Sequence, residues 1–299
     1  MTQEAQTSLV HELIESGIHF GQRASNWNPK MARYIYGKKN GVHVIDVRET
    51  IKGLLLAKRL IKSVVEGGKD VCFIGTKRQA KDSLQSRVGD VGMHWVTERW
   101  LGGTLTNFRT IRSRLKRLEE LEAIEKNDNF ASYSKKMESQ LRREMEKIKR
   151  NLEGIRHMVR LPGAMVVIDV RKEVTALREA RKLGIPTICL IDTDGDTELA
   201  DIAIPGNDDS IRAIDLVLRE LCKAVADGKQ NRQSAPPTEE EPADEPKPDR
   251  RRSRRAQYRS DGRGDSGGEG ESRGGRTDTR TDARADSSAT RASVEQPAS

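Results

Sequence analysis

Cysteine, aromatic residues and long apolar runs are all scarce in this chain of 299 residues. Its three cysteines, Cys72, Cys189 and Cys222, are odd in number and lack the C-x-x-C spacing of a redox or zinc motif. Two of them fall in apolar, strand-like runs, so they read as buried reduced thiols. No run approaches the roughly 20 apolar residues that a membrane span needs. No apolar N-terminal region precedes a cleavage site, so the expected compartment is the cytoplasm. Also missing are G-x-G-x-x-G, G-x-x-x-x-G-K-[ST], G-x-S-x-G and H-E-x-x-H, the motifs by which common enzyme sites announce themselves. The five histidines, His11, His19, His43, His94 and His157, are scattered without metal-ligand spacing. The expectation is therefore a protein with no catalytic residues, no metal and no cofactor.

Apolar residues are missing above all from the last quarter. From residue 230 onward there is one aromatic, Tyr258, and no Leu, Ile, Phe, Met or Trp. Such a segment cannot bury enough apolar surface to offset the entropy of ordering it, so 230–299 is expected to be a disordered tail. Residues 231–299 contain 14 Lys/Arg and 14 Asp/Glu, so the chain's formal charge of +8 resides in what precedes them. A cationic body favours a polyanionic partner.

That body alternates short β-branched runs with helical patterns. Strands are expected at 43–47, 70–75, 94–97, 164–170, 185–191 and 201–204, and helices at 48–66, 77–88, 173–183 and 208–227. The pattern predicts an α/β fold with helices on both faces of a mostly parallel sheet, over 1–104 and 156–229. Between these lies 105–155, where the strand signal vanishes. Phe108, Ile111, Leu115 and Leu118 recur at spacings of three and four, as do Leu141, Met145, Ile148 and Leu152. Two narrow apolar seams bury themselves against each other, which predicts an antiparallel coiled-coil hairpin.

Acidic residues are missing from one stretch of that insertion. In "ERWLGGTLTNFRTIRSRLKR", Arg109, Arg112, Arg114, Lys116 and Arg117 follow Trp100, Asn107 and Phe108, with no acid between Trp100 and Leu118. Cations so closely spaced cannot all face a core, and arginine's planar fork suits phosphate. The opening run "SGIHFGQRASNWNPKMARYIYG" has the same composition: glycines, Arg23, Trp27, Asn28 and Lys30. Glycine lets backbone approach a bulky partner, aromatics stack on unpaired bases, and cations neutralise phosphates. Both stretches read as grips for nucleic acid, structured RNA in particular. His19 has no legible catalytic partner and is expected to hydrogen-bond structure or to stack on a base. In "GTKRQ", Gly75 permits a tight turn while Thr76, Lys77 and Arg78 open a helix, an arrangement suited to a phosphate. That turn keeps open a nucleotide-dependent enzyme as the competing function. "DTDGDTE" places Asp192, Asp194 and Asp196 like the start of a calcium loop, but Thr197 and Ala203 break the remainder, so a turn of capping acids is expected. Arg263-Gly264-Asp265 in the tail is a tripeptide that such a composition produces by chance.

Five segments in order, "SGIHFGQRASNWNPKMARYIYGKKNGVHVIDVRET", "FIGTKRQAKD", "WVTERWLGGTLTNFRTIRSRLKRL", "LPGAMVVIDV" and "GIPTICLIDTDGD" with "IPGNDDSIRAI", resemble the bacterial family of the second protein of the small ribosomal subunit. The likeness runs through about residues 8–227. It implies a flavodoxin-like α/β/α sandwich with a protruding coiled coil. It also implies binding of small-subunit rRNA between head and body on the solvent side, late entry into the assembling subunit, and docking of the subunit's first protein. Carried onto this chain, the RNA-facing residues are Arg23, Trp27, Asn28, Lys30, Lys77, Arg78, Arg99, Trp100, Asn107, Arg109 and Arg112. One departure stands out: where the resemblance leads one to expect a second histidine after "HFG", this chain has Gln22, which weakens a metal role for His19.

Overall fold

The computed structural model describes residues 3–128, 130 and 133–234. Helix α1, Gln3–Glu15, leads into strand β1, Phe20–Arg23, and a 3-10 turn at Pro29–Tyr34 precedes β2, Ile35–Lys39, and β3, Val42–Ile45. Then come α2, Val47–Glu66; β4, Val71–Ile74; α3, Arg78–Asp90; and β5, His94–Val96. The insertion is α4, Phe108–Asp128, and α5, Lys135–Leu152, followed by a 3-10 turn at Glu153–Ile155. The chain returns through β6, Ala164–Ile168; α6, Val174–Leu183; β7, Thr187–Ile191; β8, Ile202–Pro205; and α7, Ile211–Ser234.

Five of the strands form a parallel sheet in the order β5-β4-β6-β7-β8. Taken alone, these strands have the flavodoxin-like order 2-1-3-4-5, whose switch point lies between β4 and β6. Alternate side chains feed two cores. Phe73, Val166, Ile168 and Leu190 pack against α2, α3 and α7, whereas Cys72, Ile74, Met165, Val167 and Cys189 pack against α6 and the base of α4 and α5. The result is three layers, with strands buried on both faces as their unbroken apolar runs require. All three cysteines are free and buried, and burial pushes the Cys72 thiol up to about 12 and that of Cys222 to about 11.

The run around 43–47 is a strand, but not of this sheet. β3 is the centre of a separate antiparallel sheet, β1-β3-β2, and Asp46 already caps α2 by accepting from Arg48 N at 2.9 Å. A β-branched run records that a segment is extended and does not name its neighbour. α7 also continues to Ser234, past the boundary expected at 229, while the remainder of the tail lies outside the described residues.

α4 and α5 share a seam in which Ile111, Leu115, Leu118 and Leu121 are buried from one side, while Leu141, Met145 and Ile148 are half-buried from the other. The lower turns have a second partner. Ile111, Leu115 and Leu152 join the same core as Ile74, Val96 and Leu177, so the two helices do not rely on each other alone.

Both edges of the parallel sheet are closed by glycines. A Cβ at Gly53 of α2 would collide with the Ala203 carbonyl oxygen of β8, and one at Gly154 with the Trp95 carbonyl oxygen of β5. Close backbone approach covers strands that would otherwise offer a free edge. Gly53→Ala is expected to lower stability by about 1–3 kcal/mol, the usual cost of overpacking, as measured by urea unfolding; an unchanged midpoint would mean that the approach is looser than these distances imply.

Candidate nucleic-acid interface

The carboxyl ends of the parallel strands are where doubly wound folds hold small ligands. Here that crevice is filled by the protein's own charges. Lys77 is 8% exposed, and its ammonium lies 2.6 Å from Asp208, 2.7 Å from Asp209 and 3.4 Å from Asp169. Burial alone would depress the Lys77 ammonium, but its bonds to Asp208 and Asp209 hold its pKa above the usual lysine value. Burial pushes Asp208 up to about 7, although Lys77 pulls in the other direction, and pushes Asp192 up to about 6. The Gln22 amide donates to Asp192 at 3.1 Å and to Asp209 at 2.7 Å, tying the small sheet to this cluster. Glu173 accepts from the Thr76 backbone at 3.2 Å and from its hydroxyl.

Carboxylates thus outnumber cations at the switch point, and a phosphate there would meet net negative charge. This corrects the reading of "GTKRQ" as a phosphate cradle: Lys77 turns inward, and only Arg78 remains exposed. Asp192, Asp208 and Asp209 are the one set among the described residues whose oxygens, all within 4.8 Å of one another, could hold a metal ion. Lys77 and Gln22 already take up the charge and lone pairs that such an ion would use. The neighbouring acids are also spoken for. Asp194 pairs with Arg171, while Asp196 caps the turn at Thr197–Leu199, accepting from Glu198 N at 3.0 Å.

In the opening stretch, Trp27 is 39% exposed and tilts over the His43 ring, with centroids 5.2 Å apart. Arg23 is exposed at the end of β1 and makes no ion pair among the described residues. Asn28 and Lys30 are occupied. The Asn28 side chain caps the turn at Pro29–Tyr34, and Lys30 pairs with Asp196 at 3.0 Å and Glu198 at 2.7 Å. His19 packs on Phe20 with centroids 4.1 Å apart; its Nδ1 is buried without a partner among the described residues, and burial lowers its pKa.

The loop "WLGGTLTN" is organised by a residue that composition and spacing do not flag. One carboxylate oxygen of Glu179, on α6, accepts from the Trp100 indole at 3.1 Å and the Gly103 amide at 2.7 Å. The other accepts from the amides of Leu105 at 3.0 Å and Thr106 at 3.2 Å and from the Thr106 hydroxyl at 3.2 Å. Burial pushes this carboxyl up, but the donated hydrogen bonds outweigh it and leave the group below its ordinary range. Trp100 is 8% exposed, which corrects its expected place on the RNA-facing surface: the indole N–H needs a buried acceptor, and Glu179 is there. The signal available in "VTALREARKL" was an acid one residue before Ala180, on the face that Ala176 and Leu177 bury.

Beyond this loop, Asn107 is exposed and accepts from the Thr110 hydroxyl at 2.8 Å, and α4 begins. Ile111 and Leu115 point inward, leaving Arg109, Arg112, Arg114 and Lys116 exposed. Arg109, Arg114 and Lys116 have no ion-pair partner among the described residues, nor has the exposed Arg99; Arg112 donates only to the Val159 carbonyl, at 3.3 Å. Arg109, Arg112, Lys116 and Arg156 line one cleft of about 650 Å³ beside Met158 and Val159. Arg156 itself is clamped by both oxygens of Glu122, at 3.1 and 2.6 Å.

Two variants probe this framework. Glu179→Gln presents an amide N–H₂ to a ring of donors, so it is expected to cost about 1–3 kcal/mol and to expose the 101–107 amides to hydrogen exchange; unchanged protection there would refute the anchoring role. Lys77→Met is expected to cost about 3–5 kcal/mol near pH 8, because it strands buried carboxylates. Asp208 and Asp192 titrate at about 7 and about 6 in the folded state, above the unfolded value of about 3.9. The folded state therefore holds more protons between these limits, and the variant should recover stability as pH falls from about 8 to about 5. A thermal midpoint that instead drops steadily with acid would contradict this.

The family model described as ribosomal protein S2 matches residues 13–228. The small ribosomal subunit protein uS2 of Rhodopirellula baltica is 55% identical over 226 residues, covering 76% of this chain and 87% of that protein. With a match across nearly the whole body and identity at this level, the chain belongs to the ribosomal protein S2 family.

Proposed function

We propose that this chain serves translation as a structural, non-enzymatic constituent of the small ribosomal subunit, and that it holds rRNA chiefly through the base of its helical hairpin. The observation that carries the reading is the acid-free start of α4, whose cations remain exposed and largely unpaired among the described residues. Like charges crowded on two helical turns repel one another, and a polyanion relieves that repulsion by releasing its counterions. Arg99, Asn107, Arg109 and Arg112, with Arg114 and Lys116, form the principal contact. Arg23, Trp27 and Arg78 supply a second exposed set. Asn28 and Lys30 hold the opening segment in place, and Lys77 and Trp100 act from inside the body.

This reading extends to the position and partners of the protein. It sits between head and body on the solvent side of the subunit, in cytoplasmic ribosomes, with α4 and α5 acting as a protruding coiled coil. There it supports subunit assembly and docks the first small-subunit protein. The competing nucleotide-enzyme reading is disfavoured by the charge of the switch-point crevice, where a phosphate would have to displace Lys77 from its carboxylates.

Replacing Arg109 and Arg112 together with alanine is expected to leave the circular dichroism spectrum unchanged and to weaken binding to small-subunit rRNA. The salt dependence should flatten by roughly one to two units of log-log slope, about one for each phosphate that an arginine no longer neutralises. Equal affinity and slope in parent and variant, measured by filter binding, would assign the RNA contact to another face.

A further inference from the structure

The cleft at the base of the hairpin differs from a plain cationic surface in having an apolar floor. Leu115 and Met158 close its bottom at 6% and 2% exposure, and Val159 stands on its rim at 67%. The cations occupy one wall, which they share with the Glu119 carboxylate. Arg109, Arg112 and Lys116 follow the helical repeat along one face of α4, so Arg109 and Lys116 stand two turns apart, about 10 Å along the axis. Arg112 supports the opposite rim by donating to the Val159 carbonyl at 3.3 Å.

Arg156 has a different part. Its guanidinium is fixed by the two-pronged bond to Glu122, which draws the Glu122 carboxyl below its ordinary range. That pairing uses the edge of the guanidinium fork and cancels its charge. What remains is a flat, rigid, delocalised plane beside an apolar floor, a surface on which a nucleobase stacks.

A duplex presents convex rows of phosphates and has no means of entering a concave cleft of about 650 Å³. One unpaired nucleotide does, since the volume lies within the range of sites for small ligands. Charged groups on one wall, apolar groups beneath and a fixed plane to one side match the three parts of a nucleotide: phosphate, base edge and base face. We infer that this cleft receives a single unpaired ribonucleotide, extruded from a bulge or loop of the bound RNA. Its base packs between Arg156 and the apolar surface that Met158 offers at the bottom and Val159 at the rim, and its flanking phosphates are bracketed by Arg109 and Lys116. The inference rests on the proposed RNA-binding role and adds to it a selectivity for unpaired over paired RNA at one position.

The test is nucleotide-resolution acylation probing of small-subunit rRNA, free and bound to the full-length protein. The parent is expected to protect at least one unpaired nucleotide, along with backbone in paired helices. Arg156→Lys keeps the charge but loses the plane, and Val159→Asp places a like charge against the phosphates at a position too exposed to unfold the chain. Each should return that nucleotide several-fold towards its free-RNA reactivity while the paired-helix protections persist. If the parent protects only paired helices, or if both variants leave the unpaired protection in place, the inference fails and RNA binding by the hairpin base stands. If the parent produces no footprint, both fail. Loss of the unpaired protection in Val159→Asp with retention in Arg156→Lys would also overturn it, since stacking on the guanidinium is the part the lysine removes.

Discussion

The buried carboxylate of Glu179 is the interaction on which the outward face of the molecule depends. The loop between β5 and α4 runs over the sheet's second face, and its amides at Gly103, Leu105 and Thr106 have given up water without a strand or helix to pair with. Orphaned donors in such a place cost free energy that no packing returns. One carboxylate with two oxygens satisfies all three, together with the Trp100 indole, because an ionised group accepts several charge-assisted bonds. The position of α4 follows from this, since Asn107 and Phe108 leave the loop directly. The direction in which Arg109, Arg112 and Lys116 point is thus set from α6, a helix that carries none of them.

A second constraint is how charge is shared out. At the carboxyl ends of the sheet, Lys77, Asp169, Asp208 and Asp209 satisfy one another, and Gln22 stitches the small sheet to the same group. Arg171 with Asp194 and Lys30 with Asp196 extend the pairing outwards. At the hairpin base the pattern reverses. Acids return only beyond Leu118, where Arg117 finds Glu120 at 3.2 Å and Glu144 at 3.9 Å. Arg109, Arg114 and Lys116, before those acids, are left without ion-pair partners among the described residues.

The difference between what was and was not legible in the sequence follows from the same physics. Runs such as Ala164–Ile168 are apolar at every position because both faces of the strand are covered, and they declare a parallel sheet without further information. The seams of α4 and α5 were legible by period, but periodicity could not say that Ile111 and Leu115 also meet the sheet core. Residue type did not reveal orientation. Lys77 and Trp100 have the chemistry of an RNA contact, yet each is drawn inward by acids far away in sequence, Asp208 and Glu179 respectively. Arg109 and Arg112 escaped that fate because the local run from Trp100 to Leu118 holds no acid. The absence of a residue type was the more transferable signal, since it constrains every arrangement the segment can adopt.

A doubly wound sheet ordinarily offers its ligand site at the switch point, and this chain shows how that site is closed. A phosphate entering there would break the bonds of Lys77 to its carboxylates and leave buried charges unpaired, a loss of several kcal/mol that one new ion pair does not recover. At the hairpin base no such exchange is needed. Arg109 and Lys116 have no ion-pair partner among the described residues to give up, Arg112 forgoes at most a bond to a backbone carbonyl, and Arg156 keeps Glu122 while presenting the face of its guanidinium. Association with a polyanion is most favourable where no native pair must be broken to achieve it. The base of the inserted hairpin, unlike the switch-point crevice, holds exposed cations that have no ion pair to give up among the described residues.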